Sequence, residues 1–195
     1  MSQLSFVSRS AFKTSLRTVI FMTGILLVGS ATADQNDPRL EELFAQLHKA
    51  TSTTEAAPLE ATIWGIWTEH KNPACSSLME RGVLQMNSGD LTGALATYTQ
   101  LIELAPDFAE AWNKRATLYF LMGDYPKSEL DIQKTLSLEP FHFGALSGRG
   151  LVKMGMKDYE GARNALHGAL EVNPNMPSVK ANIAELDAFL RKRSI

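Results

Sequence analysis

Residues 109–142 of this chain are AEAWNKRATLYFLMGDYPKSELDIQKTLSLEPFH. From Ala109 to Met122 the segment holds good helix formers with apolar residues at helical spacing, which predicts a helix. The pair Gly123-Asp124 ends that helix, and its aspartate is a typical cap for the next one. Pro126 would fall in the first turn of the second helix, where proline is tolerated, and Pro140 ends that helix. The segment therefore predicts two helices joined by a tight turn.

The same pattern returns every 34 residues along the chain. Prolines, aspartates, arginines, small residues and apolar residues all recur at this spacing. The columns are Pro106, Pro140 and Pro174; Asp90, Asp124 and Asp158; Arg81, Arg115 and Arg149; Gly82, Ala116 and Gly150; Ala94, Ser128 and Ala162; Ile102, Leu136 and Leu170; and Leu104, Leu138 and Val172. Three copies in phase indicate a repeat protein, in which each unit buries its apolar face against its neighbours.

The repeated unit resembles the tetratricopeptide repeat (TPR). The middle unit has Trp112-x-x-Arg115-Ala116-x-x-Tyr119, then Ser128-x-x-x-Ile132 and Pro140. The matching columns hold Leu78, Gly82, Ala94, Tyr98 and Pro106 in the first unit, and Leu146, Gly150, Ala162, Leu166 and Pro174 in the third. Arginine replaces the family's usual leucine in all three units, which is tolerable because the stem of arginine can pack while its head reaches solvent. The resemblance implies an all-α fold, a right-handed α-solenoid with one concave face.

The 34-residue period defines three repeats, and further segments precede and follow them. Repeats 1, 2 and 3 occupy residues 75–108, 109–142 and 143–176. Residues 34–74, with predicted helices over Pro38–Ala50 and Glu55–His70, would form an N-terminal helical cap or a degenerate fourth unit. Residues 177–195 would form a C-terminal capping helix, with helix predicted over Ser178–Arg193 and its apolar side covering repeat 3.

Residues 1–33 have the composition of an export signal. They contain three basic residues, no acidic residue, an apolar run over residues 18–28, and then Ala31-x-Ala33. These features predict a secretory signal peptide that is cleaved after Ala33, leaving no integral membrane domain. We therefore expect an exported, periplasmic protein. A membrane anchor at residues 18–30 and an organelle-targeting peptide are the alternatives.

The sequence predicts no catalytic, cofactor-binding or metal-binding residues. His48, His70, His142 and His167 include no i, i+4 pair, and the motifs HExxH, GxxxxGKS/T and GxSxG do not occur. His142 is expected in a loop between repeats whose aromatic residues cover the core, and Trp64 and Trp67 on a buried helix face. The three recurring aspartates are expected to cap helices rather than to bind metal. The single cysteine, Cys75, excludes sites built from several thiolates, and we expect it to be buried.

The charge of the chain argues against nucleic acid and anionic lipid as partners. The formal net charge is −2, and residues 34–195 have 16 basic and 21 acidic residues because the three bases of residues 1–33 are removed. A net charge of −5 provides no basic field for phosphates. We expect a monomer that binds a protein or peptide.

The resemblance implies that the first helix of each repeat lines the concave face. Carried over residue by residue, the groove-facing positions are Met79, Val83 and Met86 in repeat 1, Asn113, Thr117 and Phe120 in repeat 2, and Ser147, Leu151 and Met154 in repeat 3. Some members of the family clamp a C-terminal carboxylate in this groove with lysine, asparagine and arginine. The matching positions here are Met79, Val83, Lys114, Gly144 and Gly148, so that clamp is absent. A mostly apolar, methionine-rich groove suits an apolar peptide or a partner helix, with Phe120 as its main anchor.

The arginine column has two interpretations. Arg81, Arg115 and Arg149 would form a basic ladder for an acidic peptide or a phosphate if all three faced the groove. Alternatively, each arginine pairs with an acid of a neighbouring helix, such as Glu103, Asp131 or Glu171, and the small packing residue beside each arginine favours this interpretation.

Together these features predict a non-enzymatic adaptor or scaffold that presents a helical-repeat groove to a partner protein. By analogy alone, such an exported protein would act in the assembly of cell-envelope proteins. The alternatives are a membrane-tethered scaffold and a regulatory subunit of an enzyme complex.

Overall fold

The computed structural model describes residues 35–193, and within that range all regular secondary structure is helical. The helices are α1 (Arg39–Lys49), α2 (Thr53–Thr68), α3 (Pro73–Asn87), α4 (Leu91–Leu104), α5 (Ala109–Leu121), α6 (Tyr125–Leu138), α7 (Phe143–Gly155), α8 (Tyr159–Val172) and α9 (Pro177–Arg193). No helix among these residues is long and apolar enough to cross a membrane. The predicted signal peptide, its cleavage after Ala33 and the alternative anchor at residues 18–30 lie outside the described residues.

The helices pack in consecutive pairs. Helices α3 and α4, α5 and α6, and α7 and α8 form the three closest pairs, and α4–α5, α6–α7 and α8–α9 contacts join one pair to the next. This arrangement confirms an all-α TPR helical-repeat fold, and the predicted helices are all present to within two residues. The division of the chain into domains stays a prediction.

The recurring aspartates cap the second helix of each pair, as expected. Asp90 accepts a hydrogen bond from the Gly93 N–H at 2.9 Å and Asp158 accepts one from the Gly161 N–H at 3.0 Å. Asp124 accepts a hydrogen bond from the Lys127 backbone N–H at 3.3 Å. Each carboxylate satisfies an N–H group that has no partner inside its helix, so the column is explained by helix initiation.

The small residues of the column 82/116/150 lie at close helix crossings. A Cβ atom added to Gly82 would lie 2.5 Å from the Tyr98 ring, and one added to Gly150 would lie 2.5 Å from the Leu166 side chain. Ala116 is buried in one cluster with Ile132. Since each contact joins the two helices of one pair, a larger residue in this column would push the pair apart.

The N-terminal hairpin, formed by α1 and α2, lies along the loops that join the pairs. Helix α1 packs on α8 and helix α2 on α5. The Gln35 side chain donates to the Asp107 carbonyl at 2.6 Å, and the Asn175 side chain donates to the Ala50 carbonyl at 2.6 Å. The hairpin therefore runs across the array and packs on α5 and α8.

The residues of the hairpin account for this placement. The positions that precede Gly82 and Ala94 by one period are His48 and Glu60. These larger polar residues do not suit the close crossing that a small residue permits in the repeats. Instead, the His48 ring lies 2.9 Å from the Glu171 carbonyl and the Glu60 carboxylate accepts a hydrogen bond from Asn173 at 2.6 Å.

Candidate functional site

An apolar cavity of about 250 Å³ lies between α5, α6 and α7. We call it the central cavity. It is lined by five of the predicted groove residues, which are Asn113, Thr117, Phe120, Ser147 and Leu151. Ala116, Ile132 and Val152 form its buried base. Gly148 leaves space along α7, whereas Gly144 lies against the Trp64 ring.

The other predicted groove residues do not join this cavity. Met79 and Val83 line a separate cavity beside the end of α2, and Met79 is itself part of the buried core of repeat 1. Met86 packs against that same core. Met154 faces α9, beside Phe189. The nine predicted groove residues therefore do not share one cavity, because flexible methionine side chains pack into neighbouring apolar clusters, and their role in binding stays a prediction.

The polar groups at the central cavity are largely bonded within the protein. The hydroxyl of Thr117 donates to the Asn113 carbonyl, and that of Ser147 donates to the Gly144 carbonyl, both at 3.0 Å. The side-chain amide of Asn113 donates to Glu110 at 2.9 Å. No charged side chain lines the cavity, so it offers mainly apolar contact to a ligand.

Beneath one edge of the central cavity lies a buried ionic cluster. His142 Nε2 lies 2.8 Å from Glu110 Oε2, and Lys114 Nζ lies 3.0 Å from Glu110 Oε1. His142 Nδ1 accepts the Ala145 N–H at 3.1 Å, so the ring proton is on Nε2 and is donated to Glu110. Burial alone would raise the pKa of Glu110, but the hydrogen bond from His142 and the charge of Lys114 bring it below its ordinary value.

Two tryptophans of α2 cover this cluster. The Trp67 ring stacks on His142 with centroids 3.9 Å apart, and Trp64 meets His142 edge-on at 5.4 Å. The Lys114 ammonium lies 5.6 Å from the centre of the Trp64 ring. Trp67 is buried as predicted, whereas Trp64 is half-buried. The N-terminal hairpin is thus attached to the edge of the candidate site.

The sequence interpretation missed the role of His142. It is the N-cap of α7 and the hydrogen-bond partner of Glu110, in addition to lying in an inter-repeat loop. One available signal was its position directly before α7, because the equivalent residue 34 positions earlier is the apolar Phe108. A polar residue at a position where the preceding repeat has a large apolar one indicates a specific partner.

Two arginines of the recurring column are paired with acids. Arg115 makes a bidentate pair with Asp131, with Nε–Oδ2 and Nη2–Oδ1 distances of 2.7 and 2.9 Å. Arg149 donates to Glu129 at 3.0 and 2.8 Å, so Glu129 takes the place of the expected Glu171. Arg81 is exposed and donates to the Gln100 amide oxygen at 3.0 Å. Arg115 and Arg149 therefore do not form a free basic ladder.

Comparison with known proteins agrees with the repeat pattern. Residues 85–123 match the family model described as TPR repeat. A TPR repeat-containing protein of Rhizobium etli is 38% identical over 114 residues, which are 58% of this chain and 56% of that protein. Hsp70-Hsp90 organizing protein 2 of Arabidopsis thaliana is 32% identical over 82 residues, which are 42% of this chain and 14% of that protein. The chain thus spans about half of the first relative and a small part of the second.

Two solved structures are similar to the fold. The first TPR of Spaghetti (RPAP3), bound to the HSP90 peptide SRMEEVD, has a TM-score of 0.60 at 22% identity and covers 61% of this chain and 94% of its own. The Sgt2 TPR domain of Aspergillus fumigatus has a TM-score of 0.60 at 24% identity and covers 63% of this chain and 83% of its own. At these identities the likeness shows the fold.

Proposed function

From the TPR fold of this chain, we propose that it is a non-enzymatic adaptor that binds a peptide or a helix of a partner protein in the central cavity. The observation that carries the proposal is the uncharged, mainly apolar lining of that cavity, to which α5 contributes Asn113, Thr117 and Phe120 and α7 contributes Ser147 and Leu151. The Spaghetti domain, with a similar fold, is bound to a peptide, which supports this use of the architecture.

The ligand that fits this cavity is apolar rather than acidic. The peptide in the Spaghetti structure ends in Glu-Glu-Val-Asp, which calls for cations in the groove. Lys114 is the one charged residue of this chain at the clamp positions, and its ammonium is already paired with Glu110 and lies over Trp64. Phe120 and Leu151 instead offer apolar contact, which favours a hydrophobic side chain from the partner.

We further propose that the protein works after export, in the periplasm, and takes part in the assembly of cell-envelope proteins. This proposal rests on the basic start, the apolar run and the Ala31-x-Ala33 sequence of residues 1–33. Recovery of a mature protein that begins at Asp34 would support it, and recovery of Met1 in the exported fraction would contradict it.

A peptide selection with matched variants tests the binding site. Random peptides displayed on phage are selected on the full chain, and their affinities are measured for the wild type, Phe120→Ala and Thr117→Arg. We expect apolar peptides whose binding is lost in Thr117→Arg, because the new side chain enters the cavity. Phe120→Ala should weaken binding by about 2 kcal/mol, with little salt dependence.

The control for this experiment is Thr92→Arg, which makes the same change at an exposed position of α4. Circular dichroism checks that each variant keeps its helices. Peptides that bind Thr117→Arg as tightly as Thr92→Arg would refute the central cavity as the site. A selection dominated by acidic peptides with steep salt dependence would refute its apolar character.

A further inference from the structure

Helix α3 has a stacking face that no preceding helix pair covers within residues 35–193. The position of Leu84 in this face recurs every 34 residues, at Leu118, Val152 and Leu186. These three side chains are 0%, 1% and 1% exposed. Leu84 occupies the same position on α3 and is 69% exposed. In α5, α7 and α9 the side chain at this position packs on the preceding helix pair. Leu84 of α3 has an apolar side chain that suits the same packing, but in the described part of the chain no preceding pair covers it.

The placement of the N-terminal hairpin leaves this face open. Because α1 packs on α8 and α2 on α5, the part of the hairpin that lies beside α3 within residues 35–193 is the end of α2. An open cavity of about 620 Å³ lies between them, which we call the α3 cavity. Met79, Val83 and Leu84 provide its apolar lining, and Thr68 lies at the α2 side.

The charged groups that line the α3 cavity are both acidic. They are Glu69 and Glu80, and neither takes part in an ion pair within residues 35–193. Glu69 also follows the last residue of α2, where the helix dipole adds further negative potential. Arg39 feels the charge of Glu69, but its guanidinium is hydrogen bonded to both oxygens of Asp37.

We propose that the α3 cavity binds an amphipathic helix of a partner protein that combines apolar side chains with lysine or arginine. An apolar side chain lies against Leu84, Met79 and Val83, and a cation of the partner pairs with Glu69 and Glu80. The charge pattern favours such a partner over a second copy, because residues 34–195 have a net charge of −5 and two copies repel each other. The site is independent of the proposed function, since it shares no lining residue with the central cavity.

A phage-displayed library of random peptides, long enough for several helical turns, provides the probe. It is selected on the full chain and again on the full-chain variants Leu84→Ser and Glu80→Gln. We expect a class of peptides with leucine, isoleucine or phenylalanine at helical spacing and flanking lysine or arginine. Their affinity should fall at least about tenfold in either variant, as for the loss of a central contact, and should weaken with salt.

Matched variants separate this site from other surfaces. Leu130→Ser removes an equally exposed leucine from α6, and Glu185→Gln removes an exposed acid from α9. Both should leave the affinity of the basic peptides unchanged, as should Thr117→Arg, which tests the central cavity alone. A failure of the central cavity is thereby distinguished from a failure of the α3 cavity.

Three outcomes overturn the proposal. One is a selection that yields no basic amphipathic class, and another is a basic class that binds Leu84→Ser and Leu130→Ser equally. The third is a dimer, measured by light scattering, that Leu84→Ser dissociates, because a second copy would then occupy the cavity. Helix content measured by circular dichroism ensures that lost binding by Leu84→Ser is not caused by unfolding.

Discussion

Two glycines of α7 should respond in opposite directions to alanine. A Cβ atom at Gly148 meets no neighbouring atom within 4 Å, because this residue lines the central cavity. A Cβ atom at Gly150 would lie 2.5 Å from Cγ and Cδ2 of Leu166, which is fully buried. The two positions belong to one helix, so they differ mainly in what surrounds them.

The structure sets the size of both effects. Replacing glycine by alanine inside a helix stabilises a protein by about 0.5–1 kcal/mol where the side chain fits. Gly148→Ala should gain this amount, which raises the melting temperature by about 1–4 °C in a chain of this length. Gly150→Ala has the same backbone benefit, but overpacking against Leu166 costs about 1–3 kcal/mol, so the net change should be a loss.

Urea and thermal denaturation, followed by circular dichroism, measure both variants. The double variant Gly150→Ala/Leu166→Ala is the control, because removing the leucine should make the alanine at position 150 stabilising relative to Leu166→Ala alone. Equal stabilisation by Gly148→Ala and Gly150→Ala would refute the close crossing of α7 and α8. Destabilisation by Gly148→Ala would refute the open cavity beside it.

Three substitutions and one labelling experiment test other parts of the structure. Arg115→Ala should lower the free energy of unfolding by about 3 kcal/mol, measured in urea, because Asp131 loses its bidentate partner; an unchanged value would contradict this. Burial raises the pKa of the Cys75 thiol and blocks access, so a thiol reagent should label it only on unfolding, and rapid labelling of the native protein would show otherwise. Lys157→Gly should raise the melting temperature, because φ is +64° at this residue and a left-handed conformation costs a side chain about 1–2 kcal/mol. Because the pKa of Glu110 is lowered in the folded state, its carboxylate stabilises the protein at pH values above the ordinary glutamate pKa. This stabilisation is lost as the pH falls through the lowered value. Glu110→Gln should therefore flatten the acid side of a plot of melting temperature against pH.

The features that could be predicted from the sequence are those that the chain repeats. An aspartate before a helix is weak evidence once, but it occurs at 90, 124 and 158 with the same spacing as the prolines. The small column at 82, 116 and 150 recurs for the same reason, because each pair of helices has the same close crossing. Periodicity alone therefore indicates the helices and their caps.

The buried ionic cluster could not be predicted in this way. Glu110 and His142 are 32 residues apart, and the tryptophan that stacks on His142 comes from a third segment. Each of these residues occurs once, with no repeated pattern that links it to the others. The burial of Met79 could not be predicted either, since the family register tells which way a Cβ atom points but not where a long methionine side chain ends.

The two end helices of the repeat array in residues 35–193, α3 and α9, expose different amounts of apolar surface. At the C-terminal end of residues 35–193, the residue of α9 in the small column is Ala184, whose exposed side chain presents little apolar area. Its largest exposed apolar residue, Phe189, still packs on the Tyr159 ring at 4.9 Å. At the N-terminal end, Leu84 is largely exposed. Since terminal units of soluble repeat proteins need a polar outer face, the apolar face of α3 fits a surface that a partner covers better than a surface exposed to solvent alone.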